Sequence, residues 1–217
     1  MNTQKKITNI LKELTNKIEN TNNILKISNG NLKLGNNTLI INMGTAKECP
    51  SAALGMCNAV KSGAKCYALK AEQLYKQVEP YRQRQFSYWR NNTATKIAND
   101  IIMKIASRRS TPIKYVRFNE SGDFWDQLDV KKLDTIAKKL KNFGIVVYGY
   151  TSRKDLDFKN VSFLVKGSGH NKGNNGMTTI LDKNDPIPEG YKLCPGSCKT
   201  CNLCMVDKKF NIAFRKH

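Results

Sequence analysis

Three shortages frame this chain of 217 residues: it has two histidines, only 17 acidic residues and no long apolar run. With His170 and His217 alone, histidine adds little to any zinc site. The uninterrupted apolar stretches, such as Ile145–Val146–Val147–Tyr148, are of strand length, far short of the roughly 20 residues that cross a bilayer. Residues Met1 to Leu14 alternate Lys, Asn and Thr with isolated aliphatics, so no apolar signal core is read there. The expectation is a soluble, intracellular protein with no membrane span. Internal repeats and long linkers are also missing, and a chain of this length buries one substantial core. One domain, 1–217, is the expectation.

What the chain does contain is cation and cysteine. Against the 17 acids stand 37 Lys and Arg, a formal net charge of +20. Such a field attracts polyanions, DNA or RNA first. The plainer reading is that lysine and asparagine are enriched together, as an A/T-rich coding sequence produces. The seven cysteines fall into two groups, Cys49, Cys57 and Cys66, then Cys194, Cys198, Cys201 and Cys204. Their odd number and clustering fit metal ligation better than a disulfide framework.

The second group reads Cys194-Pro-Gly-Ser-Cys198-Lys-Thr-Cys201-Asn-Leu-Cys204. Three thiols at i, i+3 and i+6 on one short loop can converge on one small object. This is the tripod of ferredoxin-type 4Fe–4S sites, completed by a distant cysteine that often adjoins a proline. Cys194-Pro195 has that character, although it precedes the tripod instead of following it. A zinc site usually takes two ligands from each of two separated knuckles; here the Cys-x2-Cys steps are fused, so zinc is the alternative metal. Buried or reactive thiols are the plain reading. The 49–66 group has wider gaps and is a weaker signal alone, since free cysteine is often simply buried. Either it supplies distant ligands to one shared cluster, or it holds a second. Cys194-x3-Cys198-x2-Cys201 also has the spacing of radical S-adenosylmethionine enzymes, although those carry the motif early in the chain.

Along the chain, residues 1–22 place Ile7, Ile10, Leu11, Leu14 and Ile18 at helical spacing. Short strands are expected near 24–28 and 38–43, then a cysteine loop over 49–66 and a helix over 67–78. Pro80 is expected to open a second long helix reaching about Ser107. From 113 to 182 the texture is strand, helix, strand: 113–118, a helix over 126–141, then 144–150, 161–166 and 178–181. That alternation predicts an α/β fold with right-handed crossovers, an open parallel sheet or partial barrel with flanking helices. The two cysteine-rich loops, 49–66 and 194–204, are expected to come together at a metal cluster.

Ligands of parallel sheets bind beyond the carboxyl ends of the strands, and three such ends are polar. They offer Glu120 and Asp123 as candidate acid–base or metal groups, and Arg153 for an anion. Ser121, Gly122, Thr151, Ser152, Gly167 and Gly169 are candidate cofactor contacts, with glycines that let backbone amides approach a ligand. Ordinary turn and cap chemistry, with Ser121 or Asp123 capping the next helix, is the competing explanation. Residues 81–90 interleave aromatics with Arg82, Arg84 and Arg90. Tyr81, Phe86, Tyr88 and Trp89 are read as core-facing, and the arginines as surface contacts for nucleic acid.

Taken in order, Cys49-Pro50, Cys66-Tyr67-Ala68, Arg117 with Ser121-Gly122-Asp123-Phe124, Tyr150-Thr151-Ser152 and the terminal cysteines resemble the "gene product eighty-eight" family of phages and other large DNA viruses. The resemblance spans about 49–204. It implies a viral or prophage protein, in a host cytoplasm or a virion, whose two cysteine groups meet around an iron–sulfur cluster. It implies no established reaction. Where the family has His-Asp this chain has Asn119-Glu120, so no catalytic histidine carries over; Met205 stands where many members have tryptophan.

Three functions follow as expectations. The first is an iron–sulfur protein with a structural or redox role and contact with nucleic acid. The second is an enzyme, metal-dependent or of the radical S-adenosylmethionine kind, using the strand-end pocket. The third is a basic nucleic-acid-binding module clamped by zinc.

Overall fold

A computed structural model describes residues 27–28, 30–61, 66–108, 111–206 and 208–216. The expected helix over 1–22 lies outside the described residues. The elements run β1 Thr38–Ile41, α1 Pro50–Ala53, α2 Asn58–Lys61, α3 Tyr67–Leu74, α4 Val78–Asn91, α5 Ala94–Ala106, β2 Tyr115–Phe118, α6 Gln127–Lys141, β3 Val146–Thr151, β4 Leu164–Ser168, β5 Met177–Leu181, β6 Tyr191–Leu193 and β7 Asn211–Arg215. All seven strands pair in parallel in one sheet, in the order β1-β2-β3-β4-β5-β7-β6.

Several expected boundaries move. The 49–66 loop contains α1 and α2. The expected strand near 24–28 is, among the described residues, a single antiparallel bridge from Ser28 to Ile40. The helix expected from 67 to 78 stops at Leu74, and the one expected from Pro80 starts at Val78. Pro80 is still in the first turn, where its missing N–H has no intrahelical acceptor to lose. That helix also divides. Thr93 is extended and its hydroxyl accepts from the Lys96 amide at 3.2 Å, capping α5; a polar cap of this kind stops one helix and starts the next.

The core lies on one face of the sheet. α5 buries Ile97, Ala98, Ile101, Ile102 and Ile105, and α6 buries Val130, Leu133, Ile136, Ala137 and Leu140, the three- and four-residue spacing of a helix stripe. These meet Leu39, Ile41, Val116, Phe118, Val147 and Val165 from β1 to β4. Tyr88 and Trp89 of α4 join them, as expected of core-facing aromatics.

The other face is different. Strand register sets Ile40, Arg117 and Tyr148 side by side, with Tyr150 and Lys166 next along, because alternate residues share a face. A parallel sheet normally has helices on both sides. Here β1 to β5 follow one another in a single direction, so right-handed crossovers put every connection on the same face. β6 lies beyond β7, and the chain then steps backwards. The same handedness sends that one return, 194–210, across the opposite face. The return carries the second cysteine group.

The open face is bounded from the other side too. Segment 30–37 precedes β1, yet the Lys33 ammonium lies 5.5 Å over the Phe214 ring on β7. Five strand spacings in a flat sheet would be about 24 Å, so the sheet curls or the segment reaches across. The Cys198 amide donates to the Lys33 carbonyl at 2.8 Å, joining the two margins. The result is a single α/β domain built on one open, seven-stranded parallel sheet.

Candidate metal centre and strand-end network

Backbone hydrogen bonds fix the ends of the second cysteine loop. The Cys194 amide donates to the Ala213 carbonyl at 2.9 Å, just past β6, and the Met205 amide to Asn202 at 2.8 Å. Between them all four thiols are unoxidised and partly buried. Cys204 has Cys194 and Cys201 as electrostatic neighbours, and Cys198 has Cys194 and Cys204. Burial pushes the Cys198 thiol above its ordinary range, against Lys33 and Arg117; burial likewise pushes Cys204 up, against a hydrogen bond from Tyr150 and the charge of Lys166. The loop therefore rests on the polar face of the sheet, its sulfurs among three cations and a phenol donor.

Each cysteine of the first group precedes a helix. Cys49, Cys57 and Cys66 lead into α1, α2 and α3, and their carbonyls accept from Ala53, Lys61 and Lys70. Helix N-termini favour thiolate, but Cys49 is partly buried beside Asp123 and Cys57, and burial pushes its thiol up to about 12. The groups are linked through intervening side chains: Cys66 and Arg117 both neighbour Tyr67, and Arg117 neighbours Cys198. Among the described residues, no three Cys, His, Asp or Glu side chains converge on a common metal position. Metal binding would have to draw thiols together and release their protons.

At the strand ends, Asp123 is a hub. One carboxylate oxygen accepts from the Phe124 amide at 2.8 Å and the Thr151 hydroxyl at 2.7 Å; the other accepts from the Ser51 hydroxyl at 2.6 Å and the Ser152 amide at 2.9 Å. Burial pushes its carboxyl above the ordinary aspartate range, and the four donors pull the other way. Asp123 thus ties α1, the end of β2 and the end of β3 together. The helix cap expected of Ser121 or Asp123 falls to Asp126, which accepts from Leu128 and Asp129. Ser121 donates to Glu72 at 3.3 Å, and its amide to Asn42 at 2.8 Å. Gly122, at φ +76°, passes so near Gly44 that a Cβ would sit 2.8 Å from its nitrogen. Gly167 is packed against His170, and Gly169 against Asn58.

Arg153 is held by Asp155 and by the Phe124 and Trp125 carbonyls. Glu120 accepts from Asn31 at 2.9 Å and lines a cleft of about 290 Å³ with Tyr67, Tyr81 and Arg82. The three candidate catalytic groups therefore have separate partners. Arg82 is not a surface contact: its guanidinium is buried and paired with Glu72 at 2.8 Å, because it faces α3. Arg84 and Arg90 are exposed, Arg90 pairing with Asp129.

Sequence reasoning gave no site role to the residues under the loop, Arg117, Tyr148, Tyr150 and Lys166, although Arg117 and Tyr150 stand in the motifs of the family resemblance. Their signal was alternation. Tyr-Val-Arg-Phe and Val-Tyr-Gly-Tyr interrupt strands that would be continuously apolar if helices covered both faces. Tyr148 is 2% exposed with its hydroxyl unpartnered, and the Arg117 Nε is buried without a partner.

No curated protein and no solved structure matches the chain. The sequence model of one family, Gene product 88, matches residues 4–170. That stretch starts earlier than the motifs singled out above and ends before the terminal cysteine loop. It holds the first cysteine group, the Asp123 hub and strands β1 to β4. On that match, covering most of its length, the chain belongs to the Gene product 88 family.

Proposed function

We propose that the protein binds an iron–sulfur cluster of the 4Fe–4S type, with Cys194, Cys198, Cys201 and Cys204 as the ligands that would hold it. The observation that carries the reading is the position of the loop. Four free thiols lie over the sheet face opposite the α5–α6 core, beside Lys33, Arg117, Lys166 and the Tyr150 hydroxyl. Cations and hydrogen-bond donors around sulfur suit a negatively charged, thiolate-ligated group and tune its potential. When bound, such a cluster supplies one-electron storage or a structural clamp. The chain's own residues cap the face, keep water from the buried tyrosines and offer donors to sulfur. Cys49, Cys57 and Cys66 are proposed as ligands of a second cluster or as distant ligands of the first. Contact with DNA or RNA, inside a host cell or in a virion, belongs to the same proposal and is supported by the net charge of +20.

The test is anaerobic purification with iron, sulfide and zinc analysis. About four irons per cluster-bearing site, lost in Cys198→Ala and Cys201→Ala, are expected; protein with zinc alone, or with no metal, would overturn the reading. Cys49→Ala, Cys57→Ala and Cys66→Ala then separate the two assignments. Unchanged iron in these variants means that the first group holds none.

A further inference from the structure

Among the described residues, the buried arginines Arg82 and Arg153 and the more exposed Arg90 and Arg215 all have partners. Arg82 pairs with Glu72, Arg90 with Asp129 and Arg153 with Asp155, and Arg215 donates to the Asp182 and Asp185 carbonyls. The buried ammonium of Lys166 donates to the Phe210 and Asn175 carbonyls. Arg117 stands apart: it has no ion pair among the described residues, and its Nε is buried without a partner. Its guanidinium lies 5.4 Å over the Tyr150 ring. Tyr148, its register partner on the next strand, presents a buried hydroxyl that is likewise unpartnered.

A desolvated cation and a desolvated phenol, side by side and both unsatisfied, are costly. Each leaves its desolvation uncompensated, and a charge more so than a neutral group. Such an arrangement persists where a ligand completes it. The free Nε edge of a guanidinium is a planar fork that matches two oxygens of one carboxylate or phosphate, and Tyr148 adds a third donor from the same face. Arg117 is partly buried as a residue, while its Nε and the Tyr148 hydroxyl both lie inside the protein. Tyr67 and Glu120, both electrostatic neighbours of Arg117, line an adjoining cleft of about 290 Å³ that neither Arg117 nor Tyr148 itself lines.

We infer that Arg117 and Tyr148 form a binding site for a small molecule bearing a carboxylate or phosphate, set on the open face between the two cysteine groups. The inference goes beyond the cluster reading and does not need it. Tyr148, at 2% exposure, is too deep for the backbone of a nucleic acid.

The test is a thermal-stability titration of the full chain with inorganic phosphate and with acetate, at constant ionic strength, with iron measured on every sample. A saturable rise in Tm is expected. Arg117→Gln should weaken the apparent affinity about tenfold or more, and Tyr148→Phe several-fold. The control Lys131→Gln, an exposed change on α6, should leave it as it was. A rise of the same size in Arg117→Gln, or no saturable rise at all, would overturn the site. So would a rise confined to iron-free protein, which would make the metal–thiolate group itself the anion that Arg117 serves. Should Arg117→Gln not fold, Tyr148→Phe, which removes one oxygen and keeps the ring, decides the matter. Iron without phosphate binding removes only this inference; phosphate binding through Arg117 without iron removes only the cluster.

Discussion

Asp123 shows how much one side chain holds at the residue scale. Its four acceptor positions are filled by donors from three segments, so no position is left for a substrate proton. An amide there could accept on one side only and would turn its own N–H groups toward two donors. Asp123→Asn is expected to lower stability by about 2–4 kcal/mol, since hydrogen bonds to a charged group contribute about 1.5–3 kcal/mol each; urea unfolding measures it. His170 is the residue to watch with pH. Its Nε2 lies 3.1 Å from the Thr151 carbonyl and its Nδ1 accepts from the Lys172 amide. The ring is therefore neutral, and burial lowers its pKa from 6.5, with Lys154 and Lys172 opposing charge and Asp155 favouring it. A folded pKa below the unfolded one means that the unfolded chain binds the extra proton first. The contribution is fully present above about pH 6.5 and is lost as pH falls toward the folded value. Stability should decline over that range, and His170→Asn should flatten the slope of Tm against pH.

The helix ends decide the outlines at the scale of elements. Thr93 and Asp126 each satisfy N–H groups that the first turn leaves without acceptors. Asp126→Ala should cost about 1 kcal/mol, visible as a lower urea midpoint with an unchanged slope. The helix expected from Pro80 to about Ser107 had the right apolar spacing throughout, and periodicity carries across a cap without marking it. Thr93 was the readable sign. The faces of α5 and α6 were legible because each helix buries one stripe against one sheet face. Short α1 and α2 were not, since four residues have no period.

The basic balance acts on the whole molecule. If nucleic acid is bound, affinity measured by fluorescence anisotropy should fall steeply as salt rises, with log K linear in log salt; affinity unchanged between 50 and 200 mM salt would remove that part of the proposal. The scale of the whole chain is also where the site is decided. Strand and helix order from 113 to 182, the parallel pairing and the core stripes could be read from residues, because periods of 2 and 3.6 are local properties. Neither β6 nor β7 was foreseen: β7 depends on pairing with β5, made earlier, and β6 pairs only with β7, which follows it.

Cysteine spacing, cationic excess and α/β alternation were determined by the sequence alone, since each is a property of neighbours along the chain. Only the tertiary structure decided that the last connection runs backwards, from β6 to β7, and so lies on the face opposite the helices. That reversal brings the terminal thiols over Arg117, Tyr148 and Tyr150. Handed crossovers act on the order of strands in space, and no local pattern of residues encodes that order.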